Sequence, residues 1–281
     1  MAERFRGKNA IVTGASRGIG AAIAERLAAE GANVVVTART LDKHHHLAGS
    51  LNETRERLER YGTKIAVVVA DLADEQSRAR IVPEARDVLG PIDILVNNAA
   101  AAMYASMLDY PLRRRRITME INFHAPIDLT QAVLPDMQAK QQGWIVNVSS
   151  GTAKHAVGPP FRTAGVTTQI GIYGSSKAAL NRMTNAFAVE LHGSGIRVNT
   201  IEPRAGVMSE GAEALVGNII RDDQIESMEA MVEGAIALCD CDADRTGRVY
   251  ESLDLLDELG CTVMTLDGAS VYPGGYRVWR G

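Results

Sequence analysis

The chain has 281 residues, 46% hydrophobic and 23% charged, the composition of an ordinary globular protein rather than a disordered one. Its net charge of −4 argues against nucleic-acid binding through overall basicity. No apolar run approaches the ~18 residues that span a bilayer, and residues 1–10 lack a signal-peptide core. Cys239, Cys241 and Cys261 are odd in number, and the C-x-C pair has no second pair to complete a zinc site. Reduced thiols in a cytoplasmic protein are expected, with no metal, membrane or nucleic-acid partner.

In chain order, Lys8–Thr13 reads as a strand and Gly18–Glu30 as a helix with Ile19, Ile23 and Leu27 at helical spacing. Asn33–Thr37 is a second strand, Leu51–Arg60 a helix, and Lys64–Ala70 a third strand. Asp74–Leu89 is a helix interrupted by Pro83, and Ile92–Val96 a fourth strand. A long helical region covers Leu112–Lys140, with a bend expected near Pro126 or Pro135. Strand Trp144–Ser149, helix Tyr173–Leu191 and strand Ile196–Ile201 follow. A helix around Asp223–Leu238, a short helix near Ser252–Glu258 and a last strand Thr262–Leu266 complete the chain. Apolar strands alternating with helices, without hairpin dipeptides, predict one α/β domain over residues 1–281. Its sheet would be parallel, seven-stranded and doubly wound in the Rossmann manner, with helices on both faces.

Between the first strand and its helix stands Thr13-Gly14-Ala15-Ser16-Arg17-Gly18-Ile19-Gly20. Glycines in such a turn let the backbone approach a pyrophosphate, which then rests on the amides of the helix N-terminus. An acidic residue at the end of the second strand would hold an adenosine ribose and repel a 2′-phosphate. That strand ends Thr37-Ala38-Arg39-Thr40, with no carboxylate until Asp42. Arg39 and Arg17 are therefore candidates for a 2′-phosphate clamp, which favours NADP(H) and leaves NAD(H) open. Further on, Tyr173 and Lys177 stand four apart, on one helical face. A phenol loses its proton near pH ~10, and a neighbouring ammonium would pull that value down. Alone, the pair is also an ordinary helix-surface coincidence.

Taken together, the glycine turn and Tyr173-x-x-x-Lys177 resemble the short-chain dehydrogenase/reductase family over nearly the whole chain. Asp71-Leu72 resembles the family's adenine-contacting pair, and Asn97-Asn98-Ala99-Ala100 its N-N-A-G segment, with Ala100 in place of glycine. Glu120-Ile121-Asn122 carries the family's active-site asparagine, and Ser149-Ser150 ends the fifth strand with its serine. The resemblance implies that Ser150 polarises a carbonyl oxygen and that Tyr173 exchanges a proton with it. Lys177 would depress the tyrosine pKa and hold the nicotinamide ribose, and Asn122 would fix a water leading to solvent. Gly14, Ser16, Arg17, Gly18, Ile19, Gly20, Arg39, Asp71, Leu72, Asn98, Tyr173, Lys177 and Pro203 would bind the cofactor.

Some segments depart from the family pattern. Residues 151–172 form a longer approach to Tyr173 than usual, rich in Gly, Pro and Thr; Val157 and Phe161 are candidate pocket walls and His155 a surface side chain. After Asn199 and Pro203, Arg204 stands where the family has glycine, and Ser209 is the nearest substitute for its nicotinamide-contacting threonine. Residues 203–222 are the expected substrate lid. The His44-His45-His46 run lacks a carboxylate or thiolate cluster and is expected to be solvated. Arg113–Arg116 point around a helix and make no flat basic face. Tyr272, Tyr276 and Trp279 in the tail, by resemblance, imply a homodimer or homotetramer. The leading expectation is an NADP(H)-dependent alcohol dehydrogenase or carbonyl reductase for a lipophilic molecule. The alternatives are a 3-oxoacyl-thioester reductase of fatty-acid metabolism and a catalytically silent NADP(H)-sensing scaffold.

Overall fold

The computed structural model describes residues 3–43, 47–161, 168–216 and 225–276. The first half alternates strand and helix: β1 Asn9–Thr13, α1 Gly18–Ala29, β2 Asn33–Ala38, α2 Leu51–Glu59, β3 Ile65–Val69, α3 Glu75–Ala79, α4 Ile81–Leu89 and β4 Ile94–Asn97. There follow α5 Leu112–Met119, α6 Ala125–Lys140, β5 Gly143–Val148, α7 Gly171–Glu190 and β6 Ile196–Glu202. The C-terminal part holds β7 Gly206–Val207, α8 Glu210–Val216, β8 Ile225–Glu226, α9 Met228–Leu238, β9 Val249–Glu251 and α10 Ser252–Leu259.

Seven parallel strands lie in the order β3-β2-β1-β4-β5-β6-β9. Side chains alternate across this sheet, as the two-residue period of a strand requires. Val12, Val34, Val36, Val96 and Val146 enter one core with Ile23, Leu27, Leu58 and Ile236 from α1, α2 and α9. Ile11, Val35, Leu95 and Ile145 enter the other with Ile81, Leu129, Val133 and Met137 from α4 and α6. Each such side chain contributes roughly 1.5–3 kcal/mol on burial. Strand order reverses between β1 and β4, and at such a switch point the loops diverge and leave a crevice at the strands' C-terminal ends. This is the doubly wound Rossmann arrangement.

Two local expectations need correction and a third, the irregularity near Pro126, is made specific. The seventh strand is Val249–Glu251, not Thr262–Leu266; the latter segment makes only an isolated antiparallel bridge, Met264 to Val271. The break in Asp74–Leu89 falls at Arg80, because Pro83 sits in the first turn of α4, where its missing N–H has no partner to lose. The bend in Leu112–Lys140 is a π-helical turn at Glu120–His124, just before Pro126. That proline has no N–H to donate to the Asn122 carbonyl and its ring crowds it, so the helix widens for one turn and resumes.

The C-terminal segment folds onto its own chain. Tyr272 and Tyr276 pack against Leu253, Leu256 and Val263, so these rings do not by themselves mark a subunit contact; Trp279 lies outside the described residues. The cysteines are free, and burial pushes the Cys241 thiol up to about 11 and Cys239 higher still. Among the described residues no helix is long and apolar enough to cross a membrane.

Candidate active site

The crevice is a cleft of about 510 Å³. At its floor, Gly14 has φ +66°, and a side chain there would put Cβ 2.8 Å from Ala99 Cα. A Cβ on Gly20 would lie 2.3 Å from Asn98 Nδ2 and 2.6 Å from the Gly14 carbonyl oxygen. Both glycines are therefore dictated by close packing of the turn against the end of β4. Asn98 braces that contact: its Nδ2 donates to the carbonyls of Thr13 (2.9 Å) and Gly14 (3.3 Å). Thr13 Oγ1 accepts from the amides of Asn98 and Ala99, both at 3.0 Å. Ser16, Gly18 and Ile19 line the same wall.

Arg39, exposed, lines the cleft beside Ala38 and Thr40 at the end of β2, and Asp71 and Leu72 line it beyond β3. Asp71 Oδ1 accepts from the Ala73 amide (3.0 Å). Arg17 is already engaged: Nε donates to the Ala48 carbonyl (2.6 Å) and Nη2 to that of Gly49 (2.9 Å). Leu47 also lines the cleft, a residue that sequence reasoning missed.

At the other end, the structure brings Ser150, Tyr173 and Lys177 together. Ser150 caps a short 3-10 turn, its Oγ accepting from the Thr152 amide (3.3 Å) and hydroxyl (3.0 Å). Tyr173 and Lys177 stand on the first turns of α7, with Lys177 Nζ 5.8 Å from the Tyr173 ring centre. Nζ donates to the Val148 carbonyl (2.7 Å), and only 2% of the lysine is exposed. Burial pulls the Lys177 ammonium down to about 8. The Tyr173 phenol is pushed up, first by burial and then by Tyr104, while its hydrogen bond with Ser150 acts in the opposite direction. The expected depression by Lys177 is absent from the causes of this shift, which burial dominates, and the ammonium makes its hydrogen bond to Val148.

Asn122 sits in the π turn with both ends of its amide occupied. Oδ1 accepts from the Ala101 amide (2.7 Å), and Nδ2 donates to Ser176 Oγ (2.9 Å) and the Ala101 carbonyl (3.2 Å). Ser176 Oγ in turn donates to the Tyr173 carbonyl (2.6 Å), so Asn122 ties the loop after β4 to the helix carrying Tyr173. Tyr104, on that loop, meets Tyr173 edge to face at 5.8 Å and lines the cleft. Sequence reasoning missed it; its only signal was its place just after Asn97–Ala100.

The walls expected from the long approach to Tyr173 are not there. Val157 is 91% exposed and Phe161 56%, and neither lines the cleft; Tyr104 takes that place. His155 is exposed. Pro203, Gly206, Val207, Met208 and Ser209 do line it, and Ser209 packs over Gly18; of the expected lid, 217–222 lie outside the described residues. Arg204 does not adopt the left-handed backbone that would demand glycine. Its amide (2.9 Å) and that of Ala205 (3.1 Å) donate to Glu226 Oε2, and its guanidinium pairs with Glu251 (2.8 Å) and Asp254 (2.9 Å). His44–His46 lie outside the described residues, and no metal-binding cluster occurs among those described. Arg113–Arg116 are exposed and form no ion pair among the described residues.

This geometry agrees with comparison to known proteins: the family model for short chain dehydrogenases matches residues 8–215. The chain belongs to the short-chain dehydrogenase family. It is 30% identical to mouse hydroxysteroid dehydrogenase-like protein 2 over 96% of this chain and 53% of that protein. The chain thus spans about half the length of that relative. It is 38% identical to the Escherichia coli oxidoreductase UcpA over 71% of this chain and 70% of that one. Among solved structures, a short chain dehydrogenase from Mycobacterium thermoresistibile superposes with a TM-score of 0.79 at 28% identity, covering 96% of this chain and 93% of the other. A 3-oxoacyl (acyl-carrier-protein) reductase from Agrobacterium tumefaciens, solved with NADP bound, gives 0.75 at 25% identity over 89% and 94%. The family is one of NAD(P)-binding oxidoreductases, and the Agrobacterium neighbour holds NADP.

Proposed function

We propose that this short-chain dehydrogenase interconverts a secondary alcohol and a ketone on a neutral, lipophilic small molecule, with NADP(H) as the preferred cofactor. The observation that carries the reaction type is the meeting of Ser150, Tyr173 and Lys177 at the end of a cleft whose other end is a glycine cradle. The cradle suits a dinucleotide, since Gly14, Gly18 and Ser16 present a turn with little side chain to the cleft while Gly14 and Gly20 let it pack tightly on the end of β4. Gly14–Gly20 and Asn98 would hold the pyrophosphate, Asp71 and Leu72 the adenine, Arg39 the 2′-phosphate, and Lys177 and Pro203 the nicotinamide riboside. The bound cofactor supplies or accepts hydride.

The chain's own groups handle the proton and the charge. Ser150 and the Tyr173 hydroxyl are hydrogen-bonded to each other without substrate; with substrate bound each turns its single proton to the substrate oxygen, so charge developing there meets preplaced donors. In reduction Tyr173 delivers its proton to that oxygen, and in oxidation the phenolate takes it back. Because burial raises the phenol and lowers the ammonium, Tyr173 holds its proton firmly and Lys177 sheds one readily. That asymmetry suits proton transfer from solvent to Tyr173 in the reducing direction.

Substrate polarity follows from the reactive end. Ala102, Tyr104, Gly206, Val207 and Met208 line the cleft, and among the described residues the ionisable groups with them are Tyr104, Tyr173 and Lys177. Among the described residues that line the cleft, the only guanidiniums are those of Arg17 and Arg39, which belong to the cofactor end, so a carboxylated or phosphorylated substrate would find no described arginine to pair with its charge. A panel of cyclic ketones, sugar ketones and 3-oxoacyl thioesters, followed by NADPH absorbance, is expected to give turnover with the apolar ketones first. Preferential turnover of the thioesters would move the protein to the fatty-acid reductase reading. Tight cofactor binding without any turnover would make it a sensor. For the cofactor, kcat/KM with NADPH is expected to exceed that with NADH, and Arg39→Ala to remove the difference.

A further inference from the structure

The connection from β2 to α2 carries a device that the family pattern does not explain. Its neck is closed by two backbone bonds, Leu51 amide to Thr40 carbonyl and Asn52 amide to Leu41 carbonyl, both 3.0 Å. Asn52 Nδ2 and Asp42 close it again from the side. Beyond the neck, Ser50 caps α2 by accepting from the Glu53 amide (3.1 Å). Gly49, at φ +90°, runs so close to the glycine turn that a Cβ would lie 2.6 Å from the Ser16 carbonyl oxygen and 2.8 Å from Arg17 Cβ. Leu47, two residues earlier, lines the cleft, as do Ala38, Arg39 and Thr40 at the strand end from which this connection leaves.

What fastens this stretch is Arg17. A guanidinium grips a phosphate best through two parallel N–H groups on one edge. In Arg17 the edge formed by Nε and Nη2 is spent on two successive carbonyls, those of Ala48 and Gly49. We propose that Arg17 serves the cofactor indirectly: it ties Leu47–Ser50 to the glycine turn and so holds Leu47 against the adenine, while Arg39 alone supplies charge for a 2′-phosphate. Arg17 is then a positioning residue and Leu47 an adenine contact, an assignment that rests on the dinucleotide reading of the cleft.

The two roles for Arg17 separate on cofactors that differ only in the 2′-phosphate. Dissociation constants for NADPH and NADH would be measured by fluorescence titration for wild type, Arg17→Met, Leu47→Ala, the double variant and Arg39→Met. Arg17→Met and Leu47→Ala are each expected to weaken both cofactors by the same factor, about fivefold to twentyfold, the loss of a few buried methylenes. The double variant should bind about as Arg17→Met does, because both changes remove one contact. Arg39→Met should weaken NADPH and spare NADH. Thermal melts check that each variant folds, and Leu47→Ala, which leaves every hydrogen bond of Arg17 in place, tests the adenine contact separately. Loss of NADPH affinity in Arg17→Met with NADH untouched would make Arg17 a direct phosphate clamp and overturn the proposal, as would wild-type binding in Leu47→Ala. A wild type that binds neither dinucleotide would sink the reading of the cleft itself, and this inference with it.

Discussion

At the scale of single residues, Lys177 sets function against stability. Its ammonium is buried with one hydrogen bond, to the Val148 carbonyl, and titrates near 8. A lysine whose folded pKa is depressed binds fewer protons in the native than in the unfolded state between about 8 and the ordinary value of 10.5. Stability from this group therefore rises with pH across that window, and below it the fold bears the full cost of charging a buried amine. Lys177→Met is expected to raise stability at pH 7 by on the order of 1–3 kcal/mol while lowering turnover by ~10²-fold or more. Paired thermal melts and rate measurements check both; a variant that is less stable at neutral pH would refute the buried-charge account. The meeting of Tyr173, Lys177 and Ser150, and the place of Asn122 against the helix that carries Tyr173, were legible in the sequence because family motifs on a helix and at a strand end survive without any knowledge of loops. Tyr104 and Leu47 were not, since each sits in an irregular connection where no periodicity says which way a side chain faces. Val157 and Phe161 show the same gap from the other side: apolar type suggested a wall, and the backbone turns both outward.

At the scale of elements, the segment after β6 replaces the family's glycine with Arg204 and supplies its own fastening. Glu226 on β8 is 6% exposed and accepts from the amides of Arg204 and Ala205 and from Ser252 Oγ, the last at 2.7 Å to Oε1. β8 pairs with β7, so this carboxylate fixes the base of the strip Pro203–Ser209 that covers the cleft. Burial raises the Glu226 carboxyl to about 7, with Glu251 adding to the rise and the three hydrogen bonds opposing it. A carboxyl with a raised folded pKa contributes stability that is complete below about 4.5 and lost as pH climbs through 7. Glu226→Gln lacks that loss, so its melting temperature relative to wild type should increase between pH 5 and pH 8. A difference that is flat or falls with pH would contradict the assignment. Most strands and helices of the first two hundred residues follow from apolar runs and helical period, because β1, β4 and β5 are buried throughout and α2 and α4 bury one apolar face. The C-terminal part was harder. Val249–Glu251 spans only three residues, too short to show alternation, whereas Thr262–Leu266 has strand-like composition but is held by α9 and α10 rather than by the sheet.

On the scale of the whole molecule, strand order decides where chemistry can occur. The reversal between β1 and β4 opens one cleft, and both glycine cradle and tyrosine–lysine pair face it because both lie at C-terminal strand ends or on the helices that follow them. A homodimer or homotetramer is proposed, with the exposed Arg113–Arg116 as groups a second copy could pair; light scattering is expected to give a mass above one chain. The proposed reaction requires Tyr173 to exchange the proton while the cradle holds the cofactor independently. The most direct measurement is NADPH oxidation with the best ketone of the panel, alongside NADPH affinity, for wild type and Tyr173→Phe. Turnover should fall by ~10³-fold with affinity changed less than about threefold. A Tyr173→Phe enzyme that turns over at the wild-type rate would contradict the central claim.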